Sequence, residues 1–144
     1  MVEQIVSIDA LLEKELVDVW RESVKATHDF LTKEDIEAIK PDVKIGIYKV
    51  ELFCIRDAGG KIKGFMGISE NKIQMLFVHP HFRGQGVGWE LVKYALYNGR
   101  ACFVDVNEQN EQASGFYKKM GFTVFDRSAL DDQGRPFPVL RMKL

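Results

Sequence analysis

Three glycines alternate with other residues in the stretch RGQGVG, just before a candidate helix. The first N–H groups of a helix have no intrahelical partner, and the helix dipole places partial positive charge beside them. Glycine lets a ligand approach the backbone because no Cβ is in the way, and arginine supplies a planar cation that suits phosphate oxygens. The alternative is a turn that only packs the helix against a sheet. The pattern predicts an anion-binding cradle, formed by Arg83, Gly84, Gln85, Gly86, Val87 and Gly88.

Two common nucleotide sites fit this stretch poorly. A P-loop ends in Gly-Lys-Ser/Thr, whereas Trp89 follows Gly88. A dinucleotide site reads G-x-G-x-x-G directly after a strand, with an acid roughly 20 residues later. Asp105 could serve as that acid, but the glycines are spaced G-x-G-x-G and HPHFR separates them from the strand. A nucleotide-dependent oxidoreductase is therefore the weaker interpretation.

The N-terminal part of the chain predicts a strand followed by two helices. Residues 2–7 form the strand, and Asp9 can cap the first helix. Thr32 and Asp35 have the spacing of a capping box for a short second helix, which we expect Pro41 to end. The apolar residues of the first helix recur on one side: Leu11, Leu12, Leu16, Val19 and Trp20.

The middle of the chain changes to a strand period. Val50, Leu52 and Cys54 alternate with Lys49 and Glu51, which predicts a strand with one apolar face. The turn-forming stretches DAGGK and ENK connect it to two further apolar segments. The three consecutive antiparallel strands are expected at residues 48–56, 62–69 and 73–80.

The remaining segments complete a single domain, residues 1–144. They are a helix ending near Asn98, a strand at 101–106, a helix at 111–120, and a hairpin of 122–127 with 138–144. The predicted class is α/β (α+β, a mixed sheet) in the order β-α-α-β-β-β-α-β-α-β-β.

Composition excludes several classes of function. The net charge of −1 favours neither nucleic acid nor an anionic membrane as a partner. The two cysteines lie in apolar runs, as expected of free thiols in a reducing compartment. No signal-peptide pattern is visible, and no apolar run approaches the roughly 20 residues that span a bilayer. We expect a cytoplasmic protein without nucleic-acid or membrane partners.

The stretch RGQGVG resembles the Arg/Gln-x-x-Gly-x-Gly/Ala motif of the GNAT acyltransferases, with Arg83, Gly86 and Gly88 in register. Downstream, VNEQNEQASGFYKKMGF resembles the second coenzyme element of that family, which runs Asn, Tyr, Gly-Phe. The segments WRESVKATHDFL and DDQGRPFPVL are similar to small bacterial members. The resemblance covers nearly the whole chain and implies the GNAT fold.

The resemblance implies an N-acetyltransferase that moves the acetyl group of acetyl-CoA to a primary amine by direct transfer in a ternary complex. The coenzyme pyrophosphate would lie on the N–H groups of Arg83–Gly88. Leu76, Phe77 and Val78 would offer backbone groups to the pantetheine arm, like a strand added to a sheet edge. A bulge would separate that strand from the next one. An N–H of Phe77 or a neighbour would polarise the thioester carbonyl.

The resemblance also implies roles for two residues of the second element. Tyr117 matches the general acid of the family, since a phenol, with a pKa of about 10, can protonate a thiolate, whose conjugate thiol has a pKa of about 8.5. However, Ala113, Phe116, Tyr117 and Met120 have the spacing of a buried helix face, so ordinary core packing is the alternative. Asn110 matches the asparagine that bonds pantetheine or the adjacent backbone, and it could equally cap the helix.

The general base is not defined by the family pattern. Gln74 lies near where many relatives carry glutamate, and an amide cannot take a proton. A water would then relay the proton to His28, His79 or Glu70.

We expect the first two helices and the last hairpin to build the acceptor pocket, with Trp20, His28 and Phe30 lining it. Asp131 and Asp132 either attract a cationic amine there or form a solvated turn. The acceptor is a small-molecule or peptide amine. The competing hypothesis is a non-catalytic acyl-CoA-binding sensor module, although the presence of Tyr117 favours the enzyme.

No metal site is expected. His79 and His81 could approach Cys102, but no fourth ligand has a suitable spacing. Cys102 as an acyl-carrying nucleophile is less favoured than Cys102 as a core residue.

Overall fold

Every helix and strand of the predicted order is present in the computed structural model, which describes all 144 residues. One short 3₁₀ turn, Pro80–Phe82, adds to the prediction. The elements are β1 Val2–Ile5, α1 Ala10–Thr27, α2 Lys33–Gly46, β2 Glu51–Arg56, β3 Ile62–Ser69, β4 Lys72–Val78, α3 Val87–Tyr97, β5 Phe103–Asn107, α4 Glu111–Lys119, β6 Thr123–Ser128 and β7 Val139–Lys143.

The seven strands form one mixed sheet in the order β1-β2-β3-β4-β5-β7-β6. All neighbouring pairs are antiparallel except β4 and β5, which are parallel. The sheet thus belongs to the predicted mixed class. None of the helices has the length and apolar content needed to cross a membrane.

Helix α2 continues through Pro41 to Gly46, so the prediction that Pro41 ends this helix is wrong. A proline inside a helix removes one backbone hydrogen bond and strains the preceding turn. Burial offsets that cost here, because Val43 on the far side of the proline is 7% exposed and Ile47 is 1% exposed. The predicted capping box of Thr32 is confirmed at the other end of the helix.

Both faces of the central sheet are covered by helices. Leu52 and Cys54 of β2 belong to the apolar cluster beneath α1 and α2, whereas Phe53 and Ile55 belong to the cluster beneath α3. The sequence pattern predicted only one apolar face for this strand. A central strand buried on both faces tends toward a continuous apolar run rather than alternation.

Strands β4 and β5 separate soon after they begin. Only Lys72–Phe103 and Ile73–Val104 are paired, after which each strand continues without the other. On the β3 side the register shifts beside Gln74, which is the extra residue of a bulge. This is the bulge that the family resemblance implied, and it opens a slot between the two strands.

Candidate active site

A cleft of about 350 Å³ occupies the slot between β4 and α4, and the C-terminal end of α1 closes one side of it. Ten of the predicted site residues line this cleft: His28, Leu76, Phe77, Val78, Arg83, Gly84, Gly86, Val87, Gly88 and Asn110. Seven lining residues were not predicted for the site: Ser23, Thr27, Phe82, Trp89, Gln112, Ala113 and Phe116. Gln85 and Tyr117 are not among the lining residues.

The glycine-rich loop leaves the start of α3 open to an anion. Gly84 and Gly86 adopt φ of +75° and +78°, a left-handed conformation that side chains disfavour. Gly86 is the N-cap of α3 and provides no side chain to cap it. The backbone N–H groups from Gly84 through Trp89 donate no hydrogen bond to any backbone carbonyl. Such a terminus suits a phosphate.

Gly88 keeps the cleft wall thin where the cradle meets the slot. A Cβ at this position would lie 3.6 Å from Val78 Cγ2 and 3.8 Å from Phe116 Cζ. A single methyl group fits there, but a larger side chain would extend between β4 and α4.

Strand β4 presents backbone N–H and C=O groups to the slot that are not hydrogen-bonded to β3. His79 N donates to Lys63 O at 2.8 Å, which establishes which β4 residues bond to β3. Because antiparallel bonding alternates, Phe77 also bonds to β3, whereas the N–H and C=O of Leu76 and Val78 point away from it. The amide available to a ligand in the slot therefore belongs to a neighbour of Phe77 rather than to Phe77 itself.

Arg83 stands at the rim of the cleft. Its Nη2 donates to Gln112 Oε1 of α4 at 2.8 Å, so the side chain reaches from the cradle toward the opposite wall. A glutamine partner leaves the positive charge of Arg83 uncompensated, and that charge remains available to an anion at the start of α3.

The predicted dinucleotide acid has a different role in the structure. Asp105 Oδ2 accepts from Lys72 Nζ at 2.9 Å and from Arg141 Nη1 at 2.6 Å. These ion pairs tie β5 to β4 and β7, and Asp105 does not line the cleft. Asp105 is therefore not placed to bind the ribose of a dinucleotide, which removes the acid that the oxidoreductase interpretation requires.

Comparison with protein families identifies the fold. The model of the acetyltransferase (GNAT) domain matches residues 18–144. The chain belongs to the GNAT acetyltransferase family. It is 43% identical over 129 residues to the peptidyl-lysine N-acetyltransferase YjaB of Escherichia coli (strain K12), an alignment covering 90% of this chain and 88% of that protein. The corresponding YjaB of Salmonella typhimurium is 40% identical, with coverage of 90% and 89%.

Solved structures agree with this family. The solution structure of apo YjaB from Escherichia coli superposes with a TM-score of 0.87 at 38% identity, covering 99% of this chain and 95% of that one. The PaiA N-acetyltransferase of Thermoplasma acidophilum, solved in complex with coenzyme A, gives a TM-score of 0.73 at 21% identity and covers 100% and 99%. At that identity the second structure supports the fold alone. This GNAT protein is an acetyltransferase, as the sequence resemblance implied.

Asn110 of this GNAT protein connects two helices across the cleft. It is 8% exposed and caps α4, since its Oδ1 accepts from Ala113 N at 3.1 Å. Its Nδ2 lies 3.2 Å from Nε2 of His28 at the end of α1. The capping role is thus observed, and the role toward pantetheine stays a prediction.

The hydrogen bonds around His28 define its protonation. Thr27 Oγ1 donates to Ser23 O at 2.8 Å and lies 2.8 Å from His28 Nδ1. A hydroxyl has one hydrogen, so Nδ1 must carry the proton and donate to Thr27, while Nε2 accepts from Asn110. Burial lowers the pKa of His28 to about 4, against a smaller opposing effect of Asp29. His28 is therefore neutral at physiological pH.

Tyr117 lies in the core beside the slot. Its ring is 5% exposed and packs edge-on against Phe116 at 5.1 Å and Phe122 at 5.5 Å between ring centroids. Burial raises the pKa of its phenol, so the hydroxyl keeps its proton. The alternative of core packing is thus observed, and the role of general acid stays a prediction.

The acceptor side differs in part from expectation. Trp20 is 3% exposed within the core beneath α1. The prediction that it lines the acceptor pocket is therefore wrong. Trp20 falls on the stripe of α1 that faces the sheet. Phe30 is outside the cleft lining but packs against His28 at 5.3 Å and Phe137 at 6.0 Å. These three rings join the end of α1 to the β6–β7 loop.

Only one of the candidate bases lies in the cleft. Gln74 is exposed at the bulge, with Nε2 3.4 Å from Ser69 O. Glu70 is exposed in the β3–β4 turn, and His79 stacks on His81 outside the cleft. His28 alone among the candidates lines it.

Neither the hairpin carboxylates nor the cysteines form part of the cleft. Asp131 Oδ1 accepts from the backbone N–H groups of Gln133 and Arg135, as in a structured turn, which supports the second of the two expectations for this residue. Cys54 and Cys102 are free thiols. No group of three or more His, Cys, Asp or Glu side chains is arranged to hold a metal ion.

Proposed function

We propose that this protein moves the acetyl group of acetyl-CoA directly to a primary amine, with both substrates held in one ternary complex. The observation that carries the proposal is the continuity of a single cleft. The uncapped start of α3 lies at one end of it, the unpaired edge of β4 runs along it, and His28 marks the other end.

The cleft suits the successive parts of the coenzyme. The N–H groups of residues 84–89 and the cation of Arg83 would hold the pyrophosphate. The free backbone groups of Leu76 and Val78 would bond the amides of the pantetheine arm, as an added strand does. The thioester would then lie deeper in the slot, toward Asn110.

Transfer needs proximity and two proton movements. The neutral amine attacks the thioester carbon, and the N–H of Leu76 or Val78 that the pantetheine arm leaves free stabilises the oxygen that becomes negative. As the C–N bond forms and the C–S bond breaks, the nitrogen loses a proton and the thiolate gains one from the Tyr117 phenol. The phenolate takes the proton that the attacking nitrogen loses, which leaves a neutral amide, so Tyr117 ends the cycle unchanged.

The acceptor class is a peptidyl lysine. Two relatives, 43% and 40% identical to this chain, are named peptidyl-lysine N-acetyltransferases, and each alignment covers 90% of this chain. The ring cluster of His28, Phe30 and Phe137 offers an apolar wall for the four-carbon stem of a lysine side chain. Small-molecule amines are the second class to test.

Thermal shift with acetyl-CoA, beside NAD and ATP, tests the coenzyme. A ligand that binds the folded state raises the melting temperature by mass action. We expect a shift with acetyl-CoA alone, followed by transfer to a lysine-containing peptide detected by mass spectrometry. Binding without transfer to any amine would favour a non-catalytic acyl-CoA sensor. The absence of any shift would contradict the proposal.

A further inference from the structure

We propose that the hydrogen bond between Asn110 and His28 is a latch that the coenzyme opens, and that the freed His28 Nε2 then takes a proton from the acceptor ammonium. The inference rests on the proposed function and concerns how the coenzyme side of the cleft controls the acceptor side. It makes His28 a catalytic residue and Asn110 its positioning residue.

His28 is the only base among the residues that line the cleft. Among the residues that line it, only His28 and Arg83 carry titratable side chains. A guanidinium stays protonated at all accessible pH values and cannot take up a proton. A lysine acceptor arrives as an ammonium ion, because its ordinary pKa is about 10.4, and it must lose a proton before it attacks.

His28 lies between two spaces, the coenzyme cleft and a second groove. The second groove, of about 690 Å³, runs between α1 and α2, and His28 is the one residue that lines both it and the coenzyme cleft. A peptide in that groove could present its lysine amine at the imidazole. The charged side chains facing the groove are Arg21 and Lys25 of α1, Asp29 of the connecting loop, and Lys33 and Glu37 of α2.

Asn110 occupies the lone pair on Nε2 of His28 by donating a hydrogen bond to it. Asn110 Oδ1 is fixed by Ala113 N, so the amide nitrogen must face His28 Nε2 and donate to it. Burial is what lowers the pKa of His28, and a donor aimed at Nε2 disfavours the protonated ring in the same direction. In this state the imidazole cannot accept a proton from an amine.

The coenzyme would release this restraint. A carbonyl of the pantetheine arm, entering along β4, competes with the imidazole for the Nδ2 donor of Asn110. Nε2 of His28 then accepts a proton from R–NH₃⁺, leaving R–NH₂ to attack the thioester. After transfer, His28 returns that proton to water in the groove between α1 and α2. One proton is thus released for each amide formed.

Nuclear magnetic resonance of the imidazole ¹⁵N atoms tests the latch directly. In the free protein we expect Nε2 to stay unprotonated to low pH. With coenzyme A bound, its titration should move upward by about one unit or more, toward the ordinary histidine range. The variant Asn110→Ser keeps a capping oxygen for α4 but lacks the amide donor, so its free form should already titrate like the bound form.

Kinetics of His28→Gln complete the test, with His81→Gln as a matched control on an exposed imidazole outside the cleft. We expect His28→Gln to bind acetyl-CoA within about twofold and to lose about 10²-fold in kcat/KM at neutral pH, with partial recovery at high pH. The latch is wrong, and the proposed function stands, if three results occur together. Acetyl transfer proceeds, coenzyme A leaves the His28 resonances unchanged, and His28→Gln has the same pH profile of kcat/KM as the parent protein. If acetyl-CoA fails to bind the parent protein, the proposed function itself fails.

Discussion

Ile73 and Val104 form the last backbone pair between β4 and β5, and the whole cleft lies beyond this pair. Before it, the two strands belong to a continuous sheet. After it, the N–H and C=O groups of Leu76 and Val78, which point away from β3, face the slot without a partner strand. The bulge at Gln74 lies directly after Ile73, so one local irregularity accounts for both the slot and its exposed hydrogen-bonding edge.

Replacing Gly88 tests whether the slot is where the coenzyme binds. In Gly88→Val the side chain would extend from the start of α3 toward Val78 and Phe116. We expect the affinity for acetyl-CoA to fall at least about 100-fold, since the ligand and the side chain compete for one space. Isothermal titration calorimetry measures this. Gly115→Ala on α4 is the control, because its Cβ would meet nothing within 4 Å. Equal affinities for both variants would place the coenzyme elsewhere.

Removing the Tyr117 hydroxyl separates catalysis from packing. Tyr117→Phe keeps the buried ring and its contacts with Phe116 and Phe122. If the phenol protonates the thiolate, kcat should fall about 10²-fold while the dissociation constant of acetyl-CoA stays within about twofold. Direct binding and steady-state kinetics supply the two numbers. An unchanged kcat would mean that the ring serves the core alone.

The buried His28 should make stability depend on pH. Its pKa is about 4 in the folded protein and about 6.5 in the unfolded chain. Between these values the unfolded chain binds a proton that the folded protein does not, so the free energy of unfolding falls as the pH falls through this window.

Urea unfolding of the parent protein and His28→Gln measures that dependence. The parent should lose about 3 kcal/mol more than the variant between about pH 7 and about pH 4. Parallel pH curves for the two proteins would show that His28 is not buried as a neutral ring.

Trp89 should report coenzyme binding by fluorescence. It is 50% exposed and lines the cleft beside the cradle, whereas the other tryptophan, Trp20, is 3% exposed. Acetyl-CoA should change the emission of the parent protein, and Trp89→Phe should abolish the change while leaving the signal of Trp20. A persistent change in Trp89→Phe would indicate that binding alters the core.

The sequence predicted the order of the elements and most of the coenzyme side of the cleft, because those features are local. The glycines, Arg83 and Asn110 lie within two short segments whose pattern carries the signal. The end of α2 was predicted wrongly at Pro41, because the low helix propensity of proline does not include the free energy gained by burying Ile47 beyond it. Trp20 was misplaced because an apolar helix stripe does not reveal which surface it faces.

The His28–Asn110 contact was beyond sequence reasoning. The two residues are 82 positions apart, and neither belongs to a pattern that names the other as a partner. Local patterns mark each residue on its own, but only the fold brings the end of α1 to the start of α4. Contacts of this kind depend on the curvature of the sheet and the length of α1, which local patterns do not encode.

Acetyl transfer itself is tested by following a ¹³C-labelled acetyl group from acetyl-CoA to a lysine-containing peptide, with mass spectrometry of the peptide. If the cleft binds acetyl-CoA and supports transfer, the parent protein places one labelled acetyl group on the lysine side chain, and Gly88→Val places none above background. Labelling that is equal with both proteins, or that fails with the parent protein across peptide and small-molecule amines although acetyl-CoA binds, would contradict this prediction.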